Sequence, residues 1–442
     1  MNFSYSMRPV FAGMLFSALC YPNAMAATPV AGAEIENAPQ AETQNAALRE
    51  LVAKVLETHP RIRAAQAAAN AAGAQRDAAT KPRFNPELQI AGQRTDVTVQ
   101  TVGINQTLDW HDKGQARALA AEHERMAAQQ QLRNVEQELT TEVLLAVTRY
   151  HTARQLAHLR ADQVALLERV AALANQRFTA GDIGQSEVDL AQLGATQSAA
   201  EANAAQLALA DELAALQIAT QLSLETWPSL PREMAVDQLP SDNAVPGAGK
   251  PEHRDAWYAV VEQLPRVASL RASWEAAKAN ASLAEKERRP DPTVGVVLGR
   301  DGEENLFGVS LSIPLYVRNN FTDEAHAAQQ EVLVAESLLN DSREQARLTA
   351  LQALSRFRLT LIGWQRWRDL EHRSVNEQLK TLERLWRAGD MSTSDYLLQS
   401  GQYVDAQGLG VSMQGRVWEA WIEWMSASGR LGDWLQQKQL AH

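Results

Sequence analysis

Apolar positions along this chain follow two different periods, one of long helices and one of short strands. From about Lys113 to Phe178 there is no Pro and, past Gly114, no Gly. Within that stretch Leu156, Leu159, Leu166, Val170 and Leu173 recur at 3/4 spacing, with Gln163 in the missing step. This is a heptad seam, and at 1.5 Å per residue the helix would run about 100 Å. A second helix of the same kind is predicted from about Asp323 to Arg387, with Leu354, Phe357, Leu361 and Trp364, then Val375, Leu379, Leu382 and Trp386. Shorter helices are predicted over Ser186–Leu224 and Ser394–Leu435. A single Ala-rich helix is expected from Asn45 to Thr80, closed by Pro82 and Pro86.

The other period is two. Val294, Val296 and Leu298 alternate before a turn over Arg300–Asn305, and Phe307, Val309, Leu311 and Ile313 alternate after it. Leu88 and Ile90 start a similar pair, but the return over Val97–Leu108 changes phase near Gln100, where a bulge is expected. Strands of about 8 to 10 residues can cross a bilayer when tilted. Trp110 and Tyr316, with Leu315, stand just past the returning strands, where rings would sit at a membrane interface. Four strands are too few to close a barrel, so closure requires further copies of the chain; three would supply twelve. A soluble two-hairpin lid is the alternative.

These patterns recur. Ala180-Gly181-Asp182 followed by Ser186-Glu187 returns 208 residues on as Ala388-Gly389-Asp390 followed by Ser394-Asp395, and Pro86–Gly103 returns as Pro292–Gly308. The chain therefore divides into a repeat over 45–224, a Pro-rich linker over 225–252, a second repeat over 253–437 and a tail, 438–442. Residues 27–44, small and polar, are expected to run extended.

Composition narrows the class. Gly 23 and Pro 16 make up only about 9% of 442 residues, against a usual share of about 12%, which fits few turns and long elements. A net charge of −11 argues against a nucleic-acid or anionic-lipid grip by clustered cations. Arg8, the apolar run Val10–Leu19 and the small residues Ala24 and Ala26 form a secretory signal peptide, 1–26, cut after Ala26. Cys20, the single cysteine, follows Leu19 rather than a small residue, so it is expected to leave with the signal and not to be lipidated. No later run of 18 apolar residues predicts a transmembrane helix. No nucleotide-loop, nucleophile-elbow or zinc-protease motif is present, which points away from an enzyme and from a cofactor. Histidines such as His59, His111 and His123 stand singly; His151 and His158 share a helix face but lie two turns apart, so no metal site is expected.

The duplicated turns Phe178-Thr179-Ala180-Gly181 and Trp386-Arg387-Ala388-Gly389, together with Val102–Leu108 and Phe307–Leu315, resemble the TolC family of outer-membrane efflux ducts over essentially the whole mature chain. The stretch Arg289–Asn319 looks most like its cobalt-zinc-cadmium resistance branch. The resemblance implies a mainly α protomer with a small β part. Three protomers build a 12-stranded outer-membrane β-barrel, continued by a long periplasmic α-helical barrel. It implies a homotrimer serving a periplasmic adaptor protein and an inner-membrane RND-type pump, seated in outer-membrane lipid and binding no nucleic acid.

It also implies an aperture where an acid six residues after the turn glycine faces the bore. That offset falls on Asp395 and on Glu187, and rings of them would favour cations. Acids there are equally what a helix N-terminus favours. Further family positions carry Leu398 and Met391 instead of an acid and a base, leaving Arg387 as the candidate cationic partner. The turns Ala180, Gly181, Asp182 and Ala388, Gly389, Asp390 would meet the adaptor. Divalent metal cations are the expected cargo; organic solutes or a secreted protein, and a periplasmic coiled-coil protein that never enters the membrane, are the alternatives.

Overall fold

The computed structural model describes residues 38–94, 98–231 and 259–436, with the backbone alone for 38–41, 370–377 and 379. The signal peptide with Cys20, residues 232–252 of the Pro-rich linker and the tail lie outside the described residues, as do the side chains of Val375 and Leu379. The elements run α1 (Ala38–Thr58), α2 (Pro60–Ala79), β1 (Glu87–Arg94), β2 (Thr98–Thr107), α3 (Lys113–Thr179), α4 (Gln185–Thr220), α5 (Pro265–Glu287), β3 (Thr293–Asp301), β4 (Glu304–Ser312), α6 (Thr322–Ala388), α7 (Thr393–Ala427) and α8 (Leu431–Gln436).

The two long helices, α3 and α6, have 67 residues each, about 100 Å. In α3 the seam is buried or half-buried throughout. Gln163 keeps its place in it because Arg160 Nη1 donates to its carbonyl at 2.8 Å. Helix α3 packs along α4, α5, α2 and α7, and α6 packs along α7 and α5. Glycines on α7 set the spacing of this wall: a Cβ at Gly415 would lie 2.4 Å from Thr152 Oγ1, and one at Gly410 2.2 Å from the Trp367 ring. The main core lies part-way along the helices, where Leu139, Val143 and Val147 meet Leu216, Leu354, Phe357, Val417, Ile422 and Leu431.

Two expectations about the N-terminal helices are corrected. The helix expected over Asn45–Thr80 is two, because Pro60 cannot donate an N–H; it starts α2, with His59 as its N-cap accepting from Arg61 N through Nδ1 at 3.1 Å. The extended course expected over 27–44 does not hold from Ala38 on, where α1 begins; residues 27–37 lie outside the described residues. Ala and Gln favour helix, Pro39 is tolerated in a first turn, and the stripe Leu48, Leu51, Val52 and Val55 buries one face.

The four strands form one antiparallel sheet in the order β1-β2-β3-β4. Register is continuous, from Leu88↔Ile104 to Arg94↔Thr98 and from Thr107↔Thr293 to Val99↔Asp301, so the bulge expected at Gln100 is absent. The phase change is a change of chemistry instead: Gln100 points to the same side as Val102 and Ile104. The turn expected over Arg300–Asn305 tightens to Gly302-Glu303, because Asp301 pairs Glu304 and Gly302 takes a φ of 65°.

Sheet and helices are locked together at their junction. Lys113, at the start of α3, sends its ammonium to Asp291 Oδ2 at 3.0 Å and to the Arg289 carbonyl. Asp109 accepts from the Lys113 and Gly114 backbone N–H groups at 2.8 and 2.6 Å. Burial pushes the Asp109 carboxyl up, but these and a third backbone N–H outweigh it and hold it below the ordinary range.

Candidate functional site

Two regions hold the sequence-predicted residues: the sheet and the opposite ends of the helical hairpins. On the sheet, the pleat separates chemistry by face. Leu88, Ile90, Val102, Ile104, Val294, Val296, Leu298, Phe307, Val309 and Leu311 are direct cross-strand neighbours on one side, and all are 40% or more exposed. The other side carries Gln89, Thr101, Gly103, Asn105, Gly295, Gly299, Ser310 and Ser312, with Asn105 Nδ2 donating to Gln89 Oε1 at 3.0 Å. This polar side is crowded: a Cβ on Gly299 would lie 2.3 Å from the Gln100 carbonyl. Gly295 on this side is equally tight, while Gly308 has open space. Strands β1 and β4 pair on one side only, so both edges offer free backbone groups.

Trp110 is 67% exposed below this band. Tyr316 is half-buried and packs edge-on against Phe321 with ring centroids 4.8 Å apart. Phe321 itself, with positive φ, precedes α6.

At the other end both hairpins turn on the same hydrogen bonds. Gly181 N donates to the Phe178 carbonyl and Asp182 N to that of Arg177; Gly389 N donates to Trp386 and Asp390 N to Leu385. Each glycine has φ of 84°, the left-handed conformation this helix ending requires. Ala180, Gly181, Asp182, Ala388, Gly389 and Asp390 are all exposed.

The three candidate aperture residues have distinct surroundings. Asp395 is exposed and sits in a capping arrangement: Ser392 Oγ accepts from Asp395 N at 3.1 Å and donates to Asp395 Oδ2 at 2.7 Å. Glu187 is half-buried and accepts from Thr393 Oγ1 of the other hairpin at 2.6 Å. Within the protomer Arg387 pairs with Glu383, one turn back on α6, at 2.5 Å.

Beneath these residues lies a small core that the sequence pattern only half revealed. Trp386 stacks on Tyr396 at 5.0 Å, and its Nε1 donates to Thr393 Oγ1 at 3.3 Å. Arg177 Nη1 donates to the Trp386 carbonyl at 3.1 Å, tying the hairpins a second time. Burial raises the Tyr396 phenol to about 12.

The histidines do not converge. His151 Nε2 donates to the Pro228 carbonyl at 2.6 Å, and His158 is exposed. Among the described residues no three His, Cys, Asp or Glu side chains are grouped to hold a metal, and no helix is long and apolar enough to cross a membrane.

The sequence model described as outer membrane efflux protein matches residues 51–220, which contain α2, the first hairpin, α3 and α4. Over that stretch the chain is similar to outer membrane efflux proteins. Among its relatives is the cobalt-zinc-cadmium resistance protein CzcC of Cupriavidus metallidurans, 29% identical over 260 residues, 56% of this chain. The chain spans 60% of that relative's length. Solved channel structures share the fold at low identity. The Campylobacter jejuni CmeC outer membrane channel superposes with a TM-score of 0.72 at 13% identity, covering 95% of this chain and 94% of that one. CusC superposes at 0.70 and 15%, covering 87% and 92%. The open-state Neisseria gonorrhoeae MtrE channel gives 0.69 and 15%, covering 87% and 89%. The fold is thus the outer-membrane channel protomer, mainly helical with a small sheet.

Within this protomer, sequence reasoning missed the Lys113–Asp291 pair and the Thr393–Glu187 bond. Both join residues from the two halves, 178 and 206 positions apart. Their only signal was that each falls on a quoted motif, Arg289-Pro290-Asp291-Pro292 or the Ala-Gly-Asp turns.

Proposed function

We propose that the protein is the outer-membrane exit duct of a three-part efflux pump, assembled as a homotrimer. The observation that carries this is the sheet: four strands with both edges open, one face apolar and exposed, the other largely polar. Three copies joined edge to edge supply twelve strands, put the apolar face in lipid and the polar face around water. The helices would then continue the passage through the periplasm. The halves 45–224 and 253–437 are read as one duplicated unit joined by 225–252, which the pair of 67-residue helices supports. The mature chain would begin after Ala26 without a lipid anchor, and Trp110 and Tyr316 would lie at the periplasmic membrane interface.

The exposed turns around Gly181 and Gly389 are the proposed contact for a periplasmic adaptor, which links the duct to an inner-membrane RND-type pump. The proposed cargo is divalent heavy-metal cations. The name of the cobalt-zinc-cadmium resistance relative supports this class, and so does Asp395, whose exposed carboxylate would form a threefold anionic ring.

A deletion strain tests the cargo directly. Sensitivity confined to zinc, cobalt or cadmium salts is the expected profile, and sensitivity confined to organic toxicants would overturn the metal assignment. Purified protein should migrate as a heat-dissociable trimer and form pores in planar bilayers. Cation selectivity should fall in Asp395→Ala; an unchanged reversal potential would remove the ring from the mechanism.

A further inference from the structure

The end of the sheet farthest from the helices sorts its charges by face. Register places Arg300 directly opposite Gln100 on one side and Asn305 on the other, all on the apolar face. This row follows immediately after Val102, Leu298 and Phe307, at about 6.6 Å for two residues of strand. Arg94, opposite Thr98, forms the next row out on the same face. Asp301 and Glu304, paired with each other, fall on the opposite, polar face.

The segregation is complete along these rows: cations point where the apolar side chains point, and the two paired carboxylates point inward. Arg94 and Arg300 are both exposed, and among the described residues neither makes an ion pair. Two exposed guanidinium groups, without an ion pair among the described residues, one and two rows past an apolar band face a definite chemistry if that band lies in lipid. At that depth the hydrocarbon ends and lipid phosphates begin. Arginine donates two parallel hydrogen bonds to a phosphate, and Gln100 and Asn305 add amide donors beside it.

We infer that Arg94 and Arg300 bind the phosphate groups of the anionic glycolipid in the outer leaflet, one site on each protomer. The inference rests on the outer-membrane reading above, since only that reading puts phosphates beside this row. It goes further in giving the barrel a lipid-specific belt that helps fix its depth.

The test uses the full-length trimer in nonionic detergent. Its thermal dissociation is followed with added phosphorylated outer-membrane glycolipid, the same lipid after phosphatase treatment, phosphatidylcholine, or inorganic phosphate. Stabilisation by the phosphorylated glycolipid alone is expected. Arg94→Gln and Arg300→Gln should each raise the half-saturating lipid concentration by about tenfold. Arg63→Gln, an exposed arginine on α2, should leave it unchanged. Equal response to the dephosphorylated lipid, equal response to inorganic phosphate, or wild-type binding by the double variant would each overturn the inference. Insertion into vesicles, scored by protection of the strands from protease, is measured alongside. A chain that fails to insert refutes the outer-membrane reading and this inference with it. A chain that inserts but ignores the phosphorylated lipid refutes the inference alone.

Discussion

Removing one partner of the Lys113–Asp291 pair should loosen the joint between sheet and helices more than any surface ion pair in the molecule. The side chains are 8% and 11% exposed and lie 3.0 Å apart. At an effective dielectric constant near 20, the Coulomb term at that distance is about 5.5 kcal/mol. Desolvating both groups offsets much of it, and loss of one partner from a buried pair typically costs about 3–5 kcal/mol because the other charge is left alone. Asp291 Oδ1 has no hydrogen-bond partner among the described residues, so the carboxylate is incompletely satisfied even in the intact pair. That puts the expected loss near the lower end, about 3 kcal/mol.

The assay is amide hydrogen exchange over residues 109–116 and 289–295 in the full chain, since the pair spans those segments. A loss of about 3 kcal/mol corresponds to exchange faster by about 150-fold in Lys113→Met or Asp291→Leu. The double variant should recover much of the protection, because it replaces two desolvated charges with apolar volume. Three small, additive changes would show that the pair is as weak as an exposed one and that the joint is held by packing alone.

Three further outcomes follow from particular contacts. Gly299→Val should abolish heat-stable trimers, since its Cβ would meet the Gln100 carbonyl at 2.3 Å, whereas Gly308→Ala, with nothing within 4 Å, should assemble normally on the same gel. His151 has its pKa lowered by burial, so the folded state prefers the neutral ring. Its stabilising contribution is therefore complete above the unfolded value of about 6.5 and declines as pH falls below it; melting between pH 7.5 and 5 should be less pH-dependent in His151→Gln. Thr393→Val removes a hydroxyl that donates to Glu187 and accepts from Trp386. It should cost about 1.5–3 kcal/mol locally, read as faster exchange over 181–190, and unchanged protection there would dismiss the bond as a tie between the hairpins.

The long helices were legible because their evidence is local. Sixty-odd residues without Pro, with apolar positions stepping by three and four, admit little else, and α3 starts at the predicted residue. Pro60 was equally legible in principle, since a proline inside a helical run marks a break, yet the Ala-rich sequence around it invites one continuous helix. The bulge failed for a different reason. Hydrophobic phase was taken as a proxy for backbone phase, and the two part company where Gln100 and Arg300 stand on the apolar face beyond the band. A register error was inferred where the sequence was recording a change of environment along the strand.

The hairpin tips show what local reasoning cannot reach. The family resemblance placed Asp395, Glu187 and Arg387 near one another, but proximity does not decide which charges stay free. Arg387 has a carboxylate four residues earlier on its own helix, and Asp395 has a serine three residues before it. Glu187 is claimed by a hydroxyl 206 positions away. Two of the three candidates are thus engaged by neighbours that a capping or i,i+4 rule identifies from sequence, and the third by a contact that exists only once the two hairpins pack. Of the two acids, the one bonded within its own turn stays exposed, and the one bonded across the hairpins is half-buried. If the proposed threefold ring forms, its carboxylate would therefore come from Asp395, with Glu187 tying together the two hairpins beneath it.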